Sequence, residues 1–225
     1  MSEKQLKIVA KDDHAEIFLY EEVGSEMWGG ISAKTFAKQL AAVKESKITL
    51  RINSPGGDAF DGLAMANTLA EHPAEVTARV DGLAASAATL PMVAADRVEI
   101  ASNAMIMIHR ASTSAHGTSQ EMTKMAEVLA SVDEQMVKTY NHRELKVSAE
   151  ELDEMLDAET WMTASEATEF GFADAIADSM DVAASVTPGR YKKTPEAFLA
   201  KSSQITEDQI KIWRRMVARH KLLTS

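Results

Sequence analysis

Apolar positions along the chain switch repeatedly between two periods, and the switches outline a fold. Ala15–Tyr20 (AEIFLY) predicts a strand, and Ser32–Val43 a helix with Phe36, Leu40 and Val43 on one face. In Ile48–Asn53 (ITLRIN), Ile48, Leu50 and Ile52 alternate with Thr49, Arg51 and Asn53, the pattern of a half-buried strand. Helical spacing returns over Asp58–Glu71, where Leu63, Met65, Ala66 and Leu69 are apolar. Val76–Val80 predicts a strand, and Arg97–Ile100 and Met105–His109 two more across a Ser102–Asn103 turn. Thr118 and Glu121 form a capping box ahead of a long helix to Arg143, with Met122, Met125, Leu129, Val132, Met136 and Tyr140 at three-and-four spacing. Ser148/Glu151 and Thr163/Glu166 open two shorter helices, the second closed by Gly171, and Phe172–Ile176 predicts a last strand.

Strand–helix alternation predicts an α/β fold with a largely parallel sheet. Beyond Pro188 the pattern becomes helical. Thr194 reads as a cap with Pro195 at the first helical position, and Thr206–Leu223 comes next with Ile210, Trp213, Met216 and Val217 on one side. The expected division is an α/β domain over 1–185 and a basic helical extension over 186–225.

Two stretches break the periodic pattern. Asn53–Asp58 (NSPGGD) sets a proline and two glycines at a strand-to-helix corner. Asp81–Thr89 (DGLAASAAT) is almost all small residues: a strand end, a turn at Gly82, then Ser86 near the start of an Ala-rich helix that Pro91 kinks. Amides at a helix start carry partial positive charge, and alanine neighbours leave a hydroxyl open to a bulky group. The G-x-S-x-G elbow is absent, so this serine on its own is no more than small packing.

Composition narrows the chemistry. The 225 residues, 45% hydrophobic and 26% charged, suit a globular protein with a substantial core. The absence of cysteine excludes disulfides, thiolate metal sites and a cysteine nucleophile. The N-terminal stretch lacks the apolar core of a signal peptide, and no run is long enough to cross a bilayer, so the expectation is a cytoplasmic protein without membrane contact. Net charge is −10, but residues 190–225 hold nine Lys/Arg against three Asp/Glu, a balance of +6 that leaves −16 for the rest. An acidic body argues against nucleic-acid binding. The basic tail reads as a solvated helix, or as a contact for an acidic partner or a neighbouring subunit.

A serine nucleophile needs a base. Among six histidines, His109 ends an apolar strand and faces a loop, the place for a general base, whereas His116 in the adjoining Ser/Thr/Gly loop reads as exposed. The base needs an anion to fix its tautomer. Leu156–Ala167 offers Asp157 and Glu159, and the residues alone do not choose between them.

Four stretches taken in order, INSPGGD, GLAASAA, MIMIHR and ETWMTASEATEFGFAD, resemble motifs of the proteolytic subunit of the Clp protease, over roughly Ile17 to Ile176. RINSPGGDAFDG, VDGLAASAA and ETWMTASEA most resemble the Clp-like proteases that phages and prophages encode. The resemblance implies a spiral of β-β-α units shared with crotonases, with Thr118–Arg143 as the handle helix between rings. It implies Ser86 as nucleophile and His109 as base, their interval of 23 being slightly short and pointing to a trimmed loop near Ala95–Arg97. The family's acid is normally Asp; Glu159 stands there, with Asp157 as the alternative. Oxyanion donors would be the amides of Gly57 and Ala87. Extended peptide would lie beside Pro55, Gly56 and Asp58, and beside Ser112, Thr113 and Ser114.

The implied activity is serine endopeptidase chemistry on peptide or unfolded protein, needing no metal or organic cofactor. The assembly would be a homo-oligomeric ring, a heptamer or double ring. The resemblance implies a separate ATP-driven unfoldase as a partner; the chain carries no Gly-Lys-Ser/Thr phosphate loop, so any ATP hydrolysis would lie elsewhere. Phage relatives are associated with processing capsid or scaffold protein. Two rival readings are a ring-forming assembly protein with a decayed triad, raised by Glu159, and a crotonase-type acyl-CoA enzyme, which would not require the Ser86/His109 pair. Membrane-bound signal-peptide peptidases share the fold but use a Ser–Lys pair.

Overall fold

A computed structural model describes residues 6–24, 29–179 and 186–199. In chain order the elements are β1 (Lys7–Lys11), β2 (His14–Leu19), α1 (Ala33–Leu40), β3 (Lys47–Ser54), α2 (Ala59–Ala70), β4 (Glu75–Ala85), α3 (Thr89–Val93), β5 (Arg97–Ala101), β6 (Met105–Ile108), α4 (Ser119–Tyr140), α5 (Ala149–Asp157), β7 (Thr160–Thr163), α6 (Ala164–Glu169) and β8 (Ala175–Ala177). They build the expected α/β architecture. One sheet runs β1-β2-β3-β4-β5-β8, and β6 joins it through β4 and carries β7. The β1/β2 and β6/β7 pairs are antiparallel and the others parallel.

β4 is where the sheet branches. Thr77–Val80 pair with β5, while Leu83–Ala85 pair with β6. Against β3 the register moves from Ile52↔Val80 to Ser54↔Ala84, so β4 spends two more residues than β3 across the branch. Gly82 therefore does not turn the chain, as its sequence suggests. It lies inside a strand that continues to Ala85, and the small residues there are small because they are buried. The expected Ala-rich helix is instead a single 3-10 turn, Ser86–Ala88, running into α3. Pro91 falls in the first turn of α3, where an amide would lack an α-helical partner within α3, so it marks the change of helix type rather than a kink.

Alternation sets the core as read from sequence. Ile17, Leu19, Ile48, Leu50, Ile52, Val76, Ala78, Val80, Val98 and Ile100 are buried in one cluster with Phe36 and Leu40 of α1 and Met65 and Leu69 of α2. The helix boxes at Thr118, Ser148 and Thr163 all form. Of the long apolar stripe, however, only Val132, Met136 and Tyr140 are buried; the first half of α4 is largely exposed. The helix also stops at Tyr140 rather than Arg143, whose guanidinium turns to Asp174 at 2.6 Å and to the carbonyls of Ala95 and Gly171. No helix among the described residues is long and apolar enough to cross a membrane.

Chain contacts separate Met1–Ala184 from Ser185–Ser225. In the second unit, Pro195 has ψ 140 and stands at the N-cap, not at the first helical position, and the helix expected there is a 3-10 turn at Glu196–Phe198. Thr194 does not cap it; its hydroxyl donates to the Tyr191 carbonyl. Val186 pairs with Leu199 in an isolated bridge. The predicted Thr206–Leu223 helix lies outside the described residues.

The other face of the sheet is polar and includes one fully buried carboxylate. Asp81 accepts from Tyr20 Oη (2.6 Å), Arg51 Nε (2.8 Å) and Nη2 (2.7 Å), and Arg79 Nε (3.3 Å), while Arg51 Nη1 reaches Glu16 at 3.0 Å. Burial and the hydrogen bond to Asp81 push the Tyr20 phenol up to about 12, so it remains a donor. Removing the carboxylate strands two guanidinium groups around an empty site. Asp81→Ala is expected to destabilise the fold by about 3–5 kcal/mol, read from the urea midpoint at unchanged slope. A loss below about 1 kcal/mol would show that solvent or Glu16 replaces the pair.

Candidate active site

The site forms where β4 ends. Ligands in α/β folds bind outside the carboxyl ends of strands where the sheet order reverses, and the β5/β6 branch makes such a place. Ser86, the first residue past β4, has φ 53, the left-handed region that a residue with a Cβ seldom adopts. It is 9% exposed. His109 directly succeeds β6, the strand paired with the end of β4, so the two side chains come from neighbouring strand ends. His109 Nε2 lies 2.8 Å from Ser86 Oγ, a hydrogen-bonding distance suited to nucleophile and base.

The Pro-Gly-Gly corner stands against the same point. Ser54 Oγ donates to the Glu21 carbonyl (2.6 Å) and accepts the Gly56 amide (3.2 Å), which pins the loop after β3. Gly56 has φ 82, and a Cβ there would overlap the Ala85 carbonyl and stand 2.8 Å from Ser86 Cβ and 3.0 Å from the Ala87 nitrogen. Gly57 bridges to Val23: Val23 N donates to the Gly56 carbonyl and Asp58 N to the Val23 carbonyl, both at 2.9 Å. In such a parallel bridge the flanking residues make the bonds, so the Gly57 amide points away from Val23. The Ala87 amide opens a 3-10 turn, where amides lack partners within the helix. Asp58 caps α2 through the Asp61 amide (2.9 Å), and so leaves the loop by a fixed path.

The two acids part ways. Asp157 ends α5, and its side chain is 70% exposed and bonded to Arg110 Nε at 2.8 Å, with Asp153 taking another guanidinium nitrogen at 3.1 Å. Glu159 precedes β7. The antiparallel register runs from Met105↔Thr163 to Ile108↔Thr160, and His109 and Glu159 are the residues that adjoin this last pair. Glu159 has φ 52, which turns the chain between α5 and β7, and its carboxylate takes a long 3.4 Å bond from Trp161 Nε1. Ser112, Thr113 and Ser114 lie in an exposed segment without regular structure, tied at its start by the Ala111 amide donating to Asp133 (2.7 Å). Asp133, Ser54, Thr89 and Tyr140 are contacts that sequence reasoning missed. Their only signal was a polar group in an apolar setting: Thr89 among alanines, Tyr140 at the end of a methionine stripe. Among the described residues no group of acids and histidines could hold a metal ion.

An α/β sheet with a serine and a histidine in contact at its branch point is an arrangement that serine hydrolases use, and the comparisons make the class a serine-type peptidase. Residues 2–180 match the family model described as Clp protease. The chain is 31% identical over 163 residues to ATP-dependent Clp protease proteolytic subunit 1 of Mycobacterium tuberculosis (strain ATCC 25618 / H37Rv), covering 71% of this chain and 80% of that one. It is 29% identical over 167 residues to the subunit 1 protein of Leifsonia xyli subsp. xyli, covering 72% and 83%. It is 30% identical over 163 residues to ATP-dependent Clp protease proteolytic subunit 2 of Thermobifida fusca, covering 71% and 79%. The chain belongs to the Clp protease family.

The close packing of Gly56 supplies a test. Gly56→Ala is expected to cost at least about 2 kcal/mol of stability and to reduce peptide hydrolysis below detection, because the methyl group must push apart Ala85 and Ser86. A variant with wild-type melting temperature and activity would show that the corner yields freely.

Proposed function

We propose that the protein is an endopeptidase in which Ser86 attacks the peptide carbonyl, His109 moves the proton and Glu159 orients the imidazole. The observation that carries this reading is the 2.8 Å contact between Ser86 Oγ and His109 Nε2 at a left-handed serine. His109 takes the hydroxyl proton as the Ser86 Oγ–carbon bond forms, then returns it to the leaving amine as the C–N bond breaks. Water, deprotonated by the same imidazole, releases the acyl group and restores Ser86. The Gly57 and Ala87 amides would receive the developing oxyanion; each such donor is worth on the order of 2.7–4 kcal/mol in the transition state. Peptide would lie extended between Pro55–Asp58 and Ser112–Ser114, adding a strand at each side.

Glu159 is preferred to Asp157 because it adjoins the Ile108↔Thr160 pair that ends next to His109, while Arg110 already compensates Asp157. The intact Ser86–His109 contact favours an active enzyme over a decayed assembly protein, and over an acyl-CoA enzyme that has no need of the pair. Assembly as a homo-oligomeric ring is proposed from the family resemblance, supported by the largely exposed first half of α4 with Met122, Met125 and Leu129 only partly covered. An ATP-driven unfoldase as a separate partner accords with the relatives' description as ATP-dependent. Processing of phage capsid or scaffold protein is the role that the motifs RINSPGGDAFDG and ETWMTASEA suggest.

A fluorophosphonate probe tests the nucleophile: wild type should be labelled at Ser86, and Ser86→Ala should not. Against a fluorogenic peptide, Ser86→Ala and His109→Ala should each lose at least about ten-thousandfold in kcat. Absence of labelling in wild type overturns the reading.

Two further variants separate the acids. Glu159→Gln should lower kcat by roughly a hundredfold or more, and Asp157→Asn by less than about twofold. The reverse order would move the role to Asp157.

A further inference from the structure

The carbonyl of Ser86 is held by a chain of hydroxyls that reaches the long helix. Thr89 Oγ1 lies 2.6 Å from the Ser86 carbonyl oxygen and 2.7 Å from Tyr140 Oη, and both side chains are buried. A carbonyl only accepts, so the Thr89 proton is committed to Ser86 and the Tyr140 proton must go to Thr89. Burial drives the Tyr140 phenol well above its ordinary value, assisted by the Asp133 charge, so this donor stays protonated. Phe172 packs edge-on against the Tyr140 ring at 6.0 Å and fixes its direction. The same helix also anchors the strand end that carries the base, because Asp133 accepts the Ala111 amide, two residues beyond His109.

We propose that Tyr140 and Thr89 are positioning residues for the proposed nucleophile: their relay holds the Ser86 peptide in its left-handed conformation and so aims Oγ at His109. The proposal rests on the serine-peptidase reading of Ser86. A left-handed conformation at a residue with a Cβ persists only where its surroundings over-determine it. Here the carbonyl side of Ser86 is restrained by the Thr89 amide and hydroxyl, and the hydroxyl is in turn set by α4. Loss of the relay leaves the fold in place and lets Oγ wander from the base. The effect therefore falls on the chemical step and not on substrate binding.

The test measures the rate of fluorophosphonate labelling at Ser86, with kcat and KM on a fluorogenic peptide, for the full chain. Tyr140→Phe, which removes one oxygen, should slow labelling and lower kcat by about three- to tenfold with KM within about twofold. Thr89→Val should show the same loss without altering α4, and Thr89→Ser, which keeps the hydroxyl, should stay near wild type. The double variant Tyr140→Phe/Thr89→Val should fall no further than Thr89→Val alone, because the two act in series. Wild-type labelling rates in Tyr140→Phe and Thr89→Val, or additive losses in the double variant, overturn the relay while leaving the peptidase reading intact. Unlabelled wild type overturns both.

Discussion

The site depends on a backbone-to-backbone approach that excludes side chains. The loop after β3 meets the end of β4 so closely that a Cβ on Gly56 would collide with the Ala85 carbonyl and crowd Ser86. Protein interiors are packed too densely to relax away such an overlap cheaply. This contact explains why one strand end carries Gly-Leu-Ala-Ala-Ser and the other Ser-Pro-Gly-Gly. Both are thin because each is the other's neighbour. In the proposed site the two oxyanion donors are the amides of Gly57 and Ala87, so no side chain is used for the purpose. In the proposed mechanism the enzyme's electrostatic stabilisation is therefore supplied by packing, and is rigid for the same reason that it is crowded.

That crowding is stabilised from two other directions. Below the branch, the buried Asp81 ties β2, β3 and β4 together through Tyr20, Arg51 and Arg79. One partner fewer would leave buried charge uncompensated, so breaking the network costs more than the intact network adds. From the side, α4 reaches both strand ends, at Thr89 through Tyr140 and at Ala111 through Asp133. Those two contacts come from the same helix whose first half is largely exposed. That first half belongs to a helix of 22 residues whose other end touches the site.

Much of this was legible in the sequence, and the misses share a physical cause. Alternation in Ile48–Ile52 and three-and-four spacing in α2 report directly which face is buried, so core and element order could be read. The same periodic logic fails where both faces are buried. Gly82–Ala85 carries no alternation because every position is inside, and a strand there looks like a turn leading into a helix. β7 was hidden for a related reason: four residues, Thr160–Thr163, lie between two capping boxes, and a strand that short has no period to detect. The Ser86 and His109 candidates were legible only together, since each alone is an ordinary packed residue. The Thr89–Tyr140 contact was not legible, because 51 positions separate the two and a polar group in an apolar setting does not name its partner.

The choice of acid shows how topology decides what composition cannot. Asp157 and Glu159 are two residues apart and both anionic, and Asp would be the shorter, stiffer partner for an imidazole. Yet Asp157 belongs to the last turn of α5, where Arg110 meets it in the solvent. Between them the chain reverses through the left-handed Glu159, so that Thr160–Thr163 enter β7 and pair with β6. Glu159 adjoins the Ile108↔Thr160 pair that ends next to His109, whereas Asp157 lies at the end of the helix. In the proposed triad the extra methylene of Glu gives a residue set at the turn, outside the last paired position, more reach than Asp would have. The departure from the family's usual Asp accords, in that triad, with an acid set at a turn and not in a strand.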